Sequence, residues 1–112
     1  MKIKSQHIIA SLAFFIPLSM PSLASNGSEL YGSFCAACHG TDGKGDIPGT
    51  PDFTSKKGPL SKDNQTLHIN INDGFQSPGS SMAMPPKGGN PNLSDADIQE
   101  LVKFLKESFY SG

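Results

Sequence analysis

Two thiols and an imidazole stand together in Cys35-Ala36-Ala37-Cys38-His39. On a helix, Cys35, Cys38 and His39 occupy i, i+3 and i+4, so all three project from one face. Each thiol can add across one vinyl group of a haem, and the adjacent imidazole offers a nitrogen to its iron. The run therefore reads as an attachment site for c-type haem. Three other chemistries use the same residue types. A thioredoxin-like dithiol needs a βαβ pattern, which this sequence lacks. Zinc wants four nitrogen or sulfur ligands, and the chain has only these two cysteines. A disulfide across two residues closes too small a loop to stabilise much.

An iron held by one histidine has a second axial position, and the chain offers three donors for it. Residues 81–89, Ser-Met-Ala-Met-Pro-Pro-Lys-Gly-Gly, are rich in proline and glycine yet carry Met82 and Met84. A thioether in that position suits an electron-transfer haem and raises its potential. Met84 precedes proline, which biases its backbone to an extended conformation, and Pro85-Pro86 stiffens the rest of the loop. Met84 is the expected ligand and Met82 the alternative; as plain core residues both would be soft apolar filler. His68 would make a bis-histidine iron but reads better as an ordinary half-buried or surface residue. The glycines of residues 40–45 do not form a phosphate loop, because no strand precedes them and the Gly-Lys-Ser/Thr ending is missing.

The elements that must position these groups are helical. Ser28 is the expected cap of a first helix, with Leu30, Phe34 and Ala37 as its apolar stripe. Gly32 within it either admits a close neighbour or is simply tolerated. Gly40 ends this helix. A loop dense in proline and glycine then runs to Pro59, and its one large apolar residue, Phe53, is expected against the haem or the core. A second helix is expected from Ser61 to about residue 72, burying Leu67, Ile71 and Phe75 and stopping at Gly74. The last helix has the clearest period: Ser94 caps it, Ile98, Leu101, Val102, Leu105 and Phe109 form one stripe, and Glu100, Lys103, Lys106 and Glu107 take the solvated side. It is expected to pack on the first helix.

Composition narrows the setting. Lys2 and Lys4, an apolar run over residues 8–18 and Ser22-Leu23-Ala24 form the pattern of a secretory signal peptide over residues 1–24. The apolar run is short for a bilayer crossing of about 20 residues. Residues 25–112 are then one domain, marginal on its own core and helped by a bound apolar cofactor. That domain holds seven lysines against ten acidic residues and no arginine. The acidity belongs to its two ends, whereas residues 41–91 carry five lysines and five aspartates. No basic patch suggests nucleic acid, and the near-neutral middle predicts weak electrostatic steering of any partner.

In order, these are a helix ending in Cys-x-x-Cys-His, a glycine turn, a proline loop, a middle helix, a Met-Pro loop and an amphipathic last helix. This closely resembles the small bacterial monohaem class I cytochromes c, most specifically at residues 35–40 and 84–89. The resemblance implies an all-α class I cytochrome c fold: about three main helices plus loops wrapped around one covalently bound haem, the first and last helices crossing. It implies haem c and its iron as cofactors, thioethers at Cys35 and Cys38, and His39 and Met84 as axial ligands. It further implies a carbonyl, from Pro51 with Pro48 as fallback, accepting from the other ring nitrogen of His39. Relatives often use an arginine near the haem propionates; here lysines or backbone amides must serve. The implied function is a periplasmic one-electron carrier, not an enzyme, that meets redox partner proteins through an exposed haem edge. It takes no small-molecule substrate, is soluble after signal cleavage, and is a monomer or weak dimer. Two alternatives share the cofactor: a cytochrome subunit of a larger dehydrogenase, and a haem enzyme or gas sensor with a labile sixth ligand.

Overall fold

The computed structural model describes residues 26–112 and, before them, only Lys2, Ser11, Ala13, Ile16 and Pro17. Apart from those five positions, the signal peptide expected over residues 1–24 and its cleavage site lie outside the described residues. The described chain is helical: α1 (Gly27–Phe34), α2 (Ala36–His39), α3 (Asn64–Asp73) and α4 (Asp95–Phe109), with 3-10 turns at Pro59–Ser61 and Pro86–Gly89. No strand occurs among the described residues; Phe75 and Met84 pair as an isolated antiparallel bridge.

Side chains that can accept backbone N–H groups decide where the helices begin. α4 starts at Ser94, as expected, and forms a full capping box: Ser94 Oγ accepts from the Asp97 amide and Asp97 Oδ2 accepts from the Ser94 amide. The other two long helices start elsewhere than their expected serines. Asn26 caps α1 by accepting from the Ser28 amide, so Ser28 lies inside the helix. Ser61 gives its hydroxyl to the Gly58 carbonyl and closes the first 3-10 turn. Asp63 then caps α3, accepting from the amide and the hydroxyl of Thr66. Those bonds hold the Asp63 carboxyl below its usual range. Gly74 ends α3 at φ +82°, so Phe75 falls beyond the helix and is 38% exposed.

α1 crosses α4, and a glycine lets it do so. A Cβ on Gly27 would strike the Glu100 carbonyl and come within 2.8 Å of the Phe104 side chain. Gly32, the expected candidate for close approach, has open space around it. The expected stripe is also rotated: Leu30 is buried, but Phe34 is 40% exposed and Ala37 faces outward, while Tyr31 is among the most buried side chains. The buried face of α1, Gly27, Leu30 and Tyr31, is the one docked on α4, and beyond Phe34 the backbone of Cys35 (φ −119°) interrupts the helix between α1 and α2. Tyr31 joins Phe104 and Phe109 of α4, each ring centroid 5.3 Å away. Ile98, Leu101, Val102 and Leu105 of α4 are buried with Leu60, Leu67 and Ile71, so α3 and α4 share one core. Each such aliphatic burial contributes about 1.5–3 kcal/mol.

Candidate functional site

The core is hollow on one side. A cavity of about 520 Å³ opens between α1, the loop from Gly49 to Lys62, α3, the Met-Pro loop and α4. That volume is in the range of sites for small molecules and cofactors. Cys35, Cys38, His39, Met82 and Met84 all line it, as do Pro51 and Phe53. Residues distant in the chain thus meet at one space.

The short helix α2 builds the first wall. The Cys35 carbonyl accepts from the amides of Cys38 (3.2 Å) and His39 (3.0 Å), which sets the three side chains one turn apart. The glycine turn then folds back on α2: Gly45 donates to the His39 carbonyl and Asp46 to the Cys38 carbonyl. Positive φ at Gly40, Gly43 and Gly45 makes that turn possible. Tyr31 braces it from behind, its hydroxyl donating to the Gly40 carbonyl at 2.5 Å. Burial pushes the Tyr31 phenol up to about 12, with Cys35, Asp42 and Asp46 adding to the effect, so it stays a donor.

The chemistry of this wall does not suit a redox-active dithiol. Burial, and secondarily Cys38, pushes the Cys35 thiol up to about 11. A redox-active dithiol needs a depressed thiol instead, and the two cysteines form no disulfide. His39 is only 8% exposed, and burial holds it below the usual histidine range, which favours the neutral ring that binds metals. Its Nδ1 is buried with no hydrogen-bond partner. A buried polar atom left so costs about 1–3 kcal/mol. An unpartnered buried imidazole, two unpaired thiols and apolar walls fit covalently attached haem.

The carbonyl expected for His39 is not supplied. Neither Pro51 nor Pro48 accepts from the ring; Pro51 lines the cavity, half-buried. Orientation comes from Phe53 instead, which is buried and lies flat on the imidazole, centroids 4.5 Å apart and planes 15° apart. Phe53 is itself held by its amide donating to the Gly43 carbonyl and by Phe109 at 6.2 Å. An aromatic face fixes the plane of a ring without engaging its nitrogens.

Met84 is held by backbone. Its amide donates to the Phe75 carbonyl at 2.8 Å and its carbonyl accepts from the Phe75 amide at 3.1 Å. Gly74 permits this approach, since a Cβ there would lie 2.8 Å from the Met84 carbonyl and 3.0 Å from the Pro86 nitrogen. After Pro85-Pro86, Lys87 (φ +55°) and Gly88 (φ +61°) turn the chain so that Gly88 passes close to the Phe34 carbonyl. Met84 packs against the core, whereas Met82 is 45% exposed and tied only to Ser80. His68 is not at the cavity: its Nε2 lies 3.3 Å from Asp95 Oδ1, linking α3 to α4.

Two residues of the site escaped the sequence reading. Tyr31 carries a signal in hindsight, the spacing Gly27, Tyr31, Cys35, His39 at steps of four along one face. Lys62 carries none: its Nζ sits 4.2 Å from the centre of the Phe75 ring because the chain folds it there.

A family model described as cytochrome c matches residues 24–108. The chain is 29% identical over 96 residues to "Lupanine 17-hydroxylase [cytochrome c]" of a Pseudomonas species, covering 85% of this chain but only 12% of that protein. It is 32% identical over 82 residues to cytochrome c-555 of Chlorobaculum thiosulfatiphilum, covering 73% of this chain and 92% of that one. Among solved structures, the KustC0563 c-type cytochrome superposes with a TM-score of 0.59 at 23% identity, covering 74% of this chain and 96% of that chain. Cytochrome cL of Methylophaga aminisulfidivorans MPT gives 0.57 at 22%, covering 76% of this chain and 53% of the other. At those identities the superpositions speak for the fold alone.

Proposed function

The chain belongs to the cytochrome c family, and from that premise we propose that it is a periplasmic one-electron carrier with a closed, His/Met-ligated iron. The class I cytochrome c fold and covalently bound haem c with its iron come with the family. Bound there, the haem supplies an iron that alternates between the ferrous and ferric states. Cys35 and Cys38 are the proposed thioether links, and His39 and Met84 the proposed axial ligands. The observation that carries the reading is that Cys35, Cys38, His39 and Met84 all line one cavity. The two-bond clamp on Met84, beside a loosely held Met82, favours Met84 as the sulfur donor.

The work of the chain is to hold both ligands still, because a fixed ligand set lets the electron move with little rearrangement. The aromatic backing of His39 and the Phe75–Met84 bridge each do this on their own side. Phe34, Phe75 and Met82, each more than a third exposed, rim the cavity mouth. That rim is the proposed contact for a redox partner, small and transient because the partner must leave after each electron. No helix among the described residues is long and apolar enough to cross a membrane. We read residues 1–24 as a signal peptide and residues 25–112 as the exported domain.

A second reading keeps the chemistry and changes the partner. The match to part of a hydroxylase favours a cytochrome that serves one larger dehydrogenase. Co-purification with a larger enzyme would show it. For the closed site itself, the test is the wild-type spectrum. Ferric protein should show methionine-to-iron charge-transfer absorption, and reduced protein should bind carbon monoxide poorly. Rapid, stoichiometric binding of carbon monoxide to the reduced wild type would overturn the carrier reading in favour of a sensor or enzyme.

A further inference from the structure

The imidazole of His39 turns on a soft bond. The torsion that sets the plane of a histidine ring is broad, with no sharp staggered well to hold it. Metal-binding histidines are commonly fixed by a hydrogen bond from the other ring nitrogen, and here Nδ1 is buried without a partner. What meets the ring is the face of Phe53, centroids 4.5 Å apart and planes 15° apart. A stack fixes a plane only if the second ring is itself fixed, so the support of Phe53 decides the matter.

That support converges on Gly43. Its carbonyl accepts from the Phe53 amide at 2.8 Å, and a Cβ on it would come within 2.8 Å of the ring of Phe109, the last residue of α4. One glycine thus anchors the backbone of one phenylalanine and seats the ring of the other. Tyr31 at 5.3 Å and Phe104 at 5.8 Å, the latter edge-on, enclose Phe109 further. The Tyr110 amide, donating to the Lys106 carbonyl at 3.2 Å, closes the helical turn that carries it. Held in this way, Phe109 stacks on Phe53, centroids 6.2 Å apart and planes 26° apart. His39, Phe53 and Phe109 therefore form a series of rings that runs from the attachment sequence to the end of α4.

We propose that Phe109 is a positioning residue for His39, acting through Phe53, so that the end of α4 sets the plane of the imidazole. The assignment rests on His39 being an iron ligand, as proposed above, and adds to that site a residue from the other end of the domain. The plane of a ligating imidazole governs how the unpaired electron of ferric iron is spread over the haem, and a change in stability alone does not alter it.

Proton NMR of the ferric, haem-loaded protein reads that plane in the pattern of the haem-methyl resonances. Phe53→Leu should redistribute those resonances, and Phe109→Leu should redistribute them in the same direction and less. The double variant should look like Phe53→Leu alone, because with Phe53 gone Phe109 has no route to the ring; this is coupling of the kind a double-mutant cycle detects. Ile98→Ala is the control for stability. Ile98 is fully buried on the same helix, about 16 Å along its axis from Phe109, and is not part of the cavity lining. Its loss should lower the denaturant midpoint and leave the haem-methyl pattern in place. If Phe109→Leu lowers stability without moving the pattern, if its effect simply adds to that of Phe53→Leu, or if Ile98→Ala moves the pattern equally, Phe109 is core packing only and the assignment falls. Absence of methionine charge-transfer absorption in the wild type is a separate result, which would overturn the proposed function before any variant is made.

Discussion

The two walls of the cavity are built in opposite ways. The thiol and imidazole wall comes from five consecutive residues, and its spacing is set by two amides donating to one carbonyl. The methionine wall comes from a loop whose shape depends on Phe75, ten residues upstream of Pro85, and on glycines that tolerate positive φ at 74 and 88. One wall is local chemistry; the other is a backbone pairing that exists only in the folded chain. The first should survive distant changes, and the second should be easy to loosen without touching the sulfur.

The largest effect should come from Met84→Ala set beside Met82→Ala. Loss of Met84 should abolish the charge-transfer absorption, open the reduced iron to carbon monoxide and lower the potential by at least tenfold in ratio, ~59 mV for one electron. Met82→Ala should do none of these, and the reverse outcome would exchange their roles. Next, Gly27→Val should lower stability by about 3 kcal/mol, because the new side chain meets the Glu100 carbonyl and the Phe104 side chain. Denaturant unfolding measures the loss, while haem attachment at Cys35 and Cys38 should persist if that wall is local. Gly74→Ala should cost about 2 kcal/mol from its φ of +82° and the crowded Met84 carbonyl. Its sharper readout is a weakened charge-transfer band with His39 untouched; an unchanged band would mean that the Phe75 bridge does not govern Met84. Smallest, Tyr31→Phe should cost about 1 kcal/mol for the lost hydrogen bond to Gly40, seen as a lower thermal midpoint with an unaltered spectrum.

This contrast also explains what could be read in advance. Residues 35–39 state their chemistry in their spacing, and Ser94 with its apolar stripe states α4 almost to the residue. That Met84 sits in a stiffened loop is legible from Pro85-Pro86, and the structure brings it to the cavity wall. The placement of Phe75 is not legible, since a helical period cannot show that Gly74 ends the helix and hands the next residue to a bridge. Gly32 and Gly27 are alike in sequence, and only the crossing with α4 distinguishes them. The stacking of Phe53 on His39 is hidden for a related reason: Phe53 reaches the ring through a loop held at Gly43, and loop paths leave no period to read. Charge was hidden most completely. Residues 41–91 balance five lysines against five aspartates, yet folding sends lysines to the cavity and aspartates to caps and turns.

The α1–α4 crossing has one more consequence, for the order in which the molecule can be assembled. Contacts between Gly27 and residues 100–104 join the beginning of the domain to its end, and closing a loop that long carries an entropic cost that local helices do not. Leu101 and Leu105 of α4 are also part of the cavity lining. A chain still emerging, with residues 35–39 already formed but α4 not yet made, has the attachment sequence without the pocket. Synthesis delivers the thiols first and the back wall last, so final burial of the cofactor must wait for the fifteen-residue helix α4 to dock.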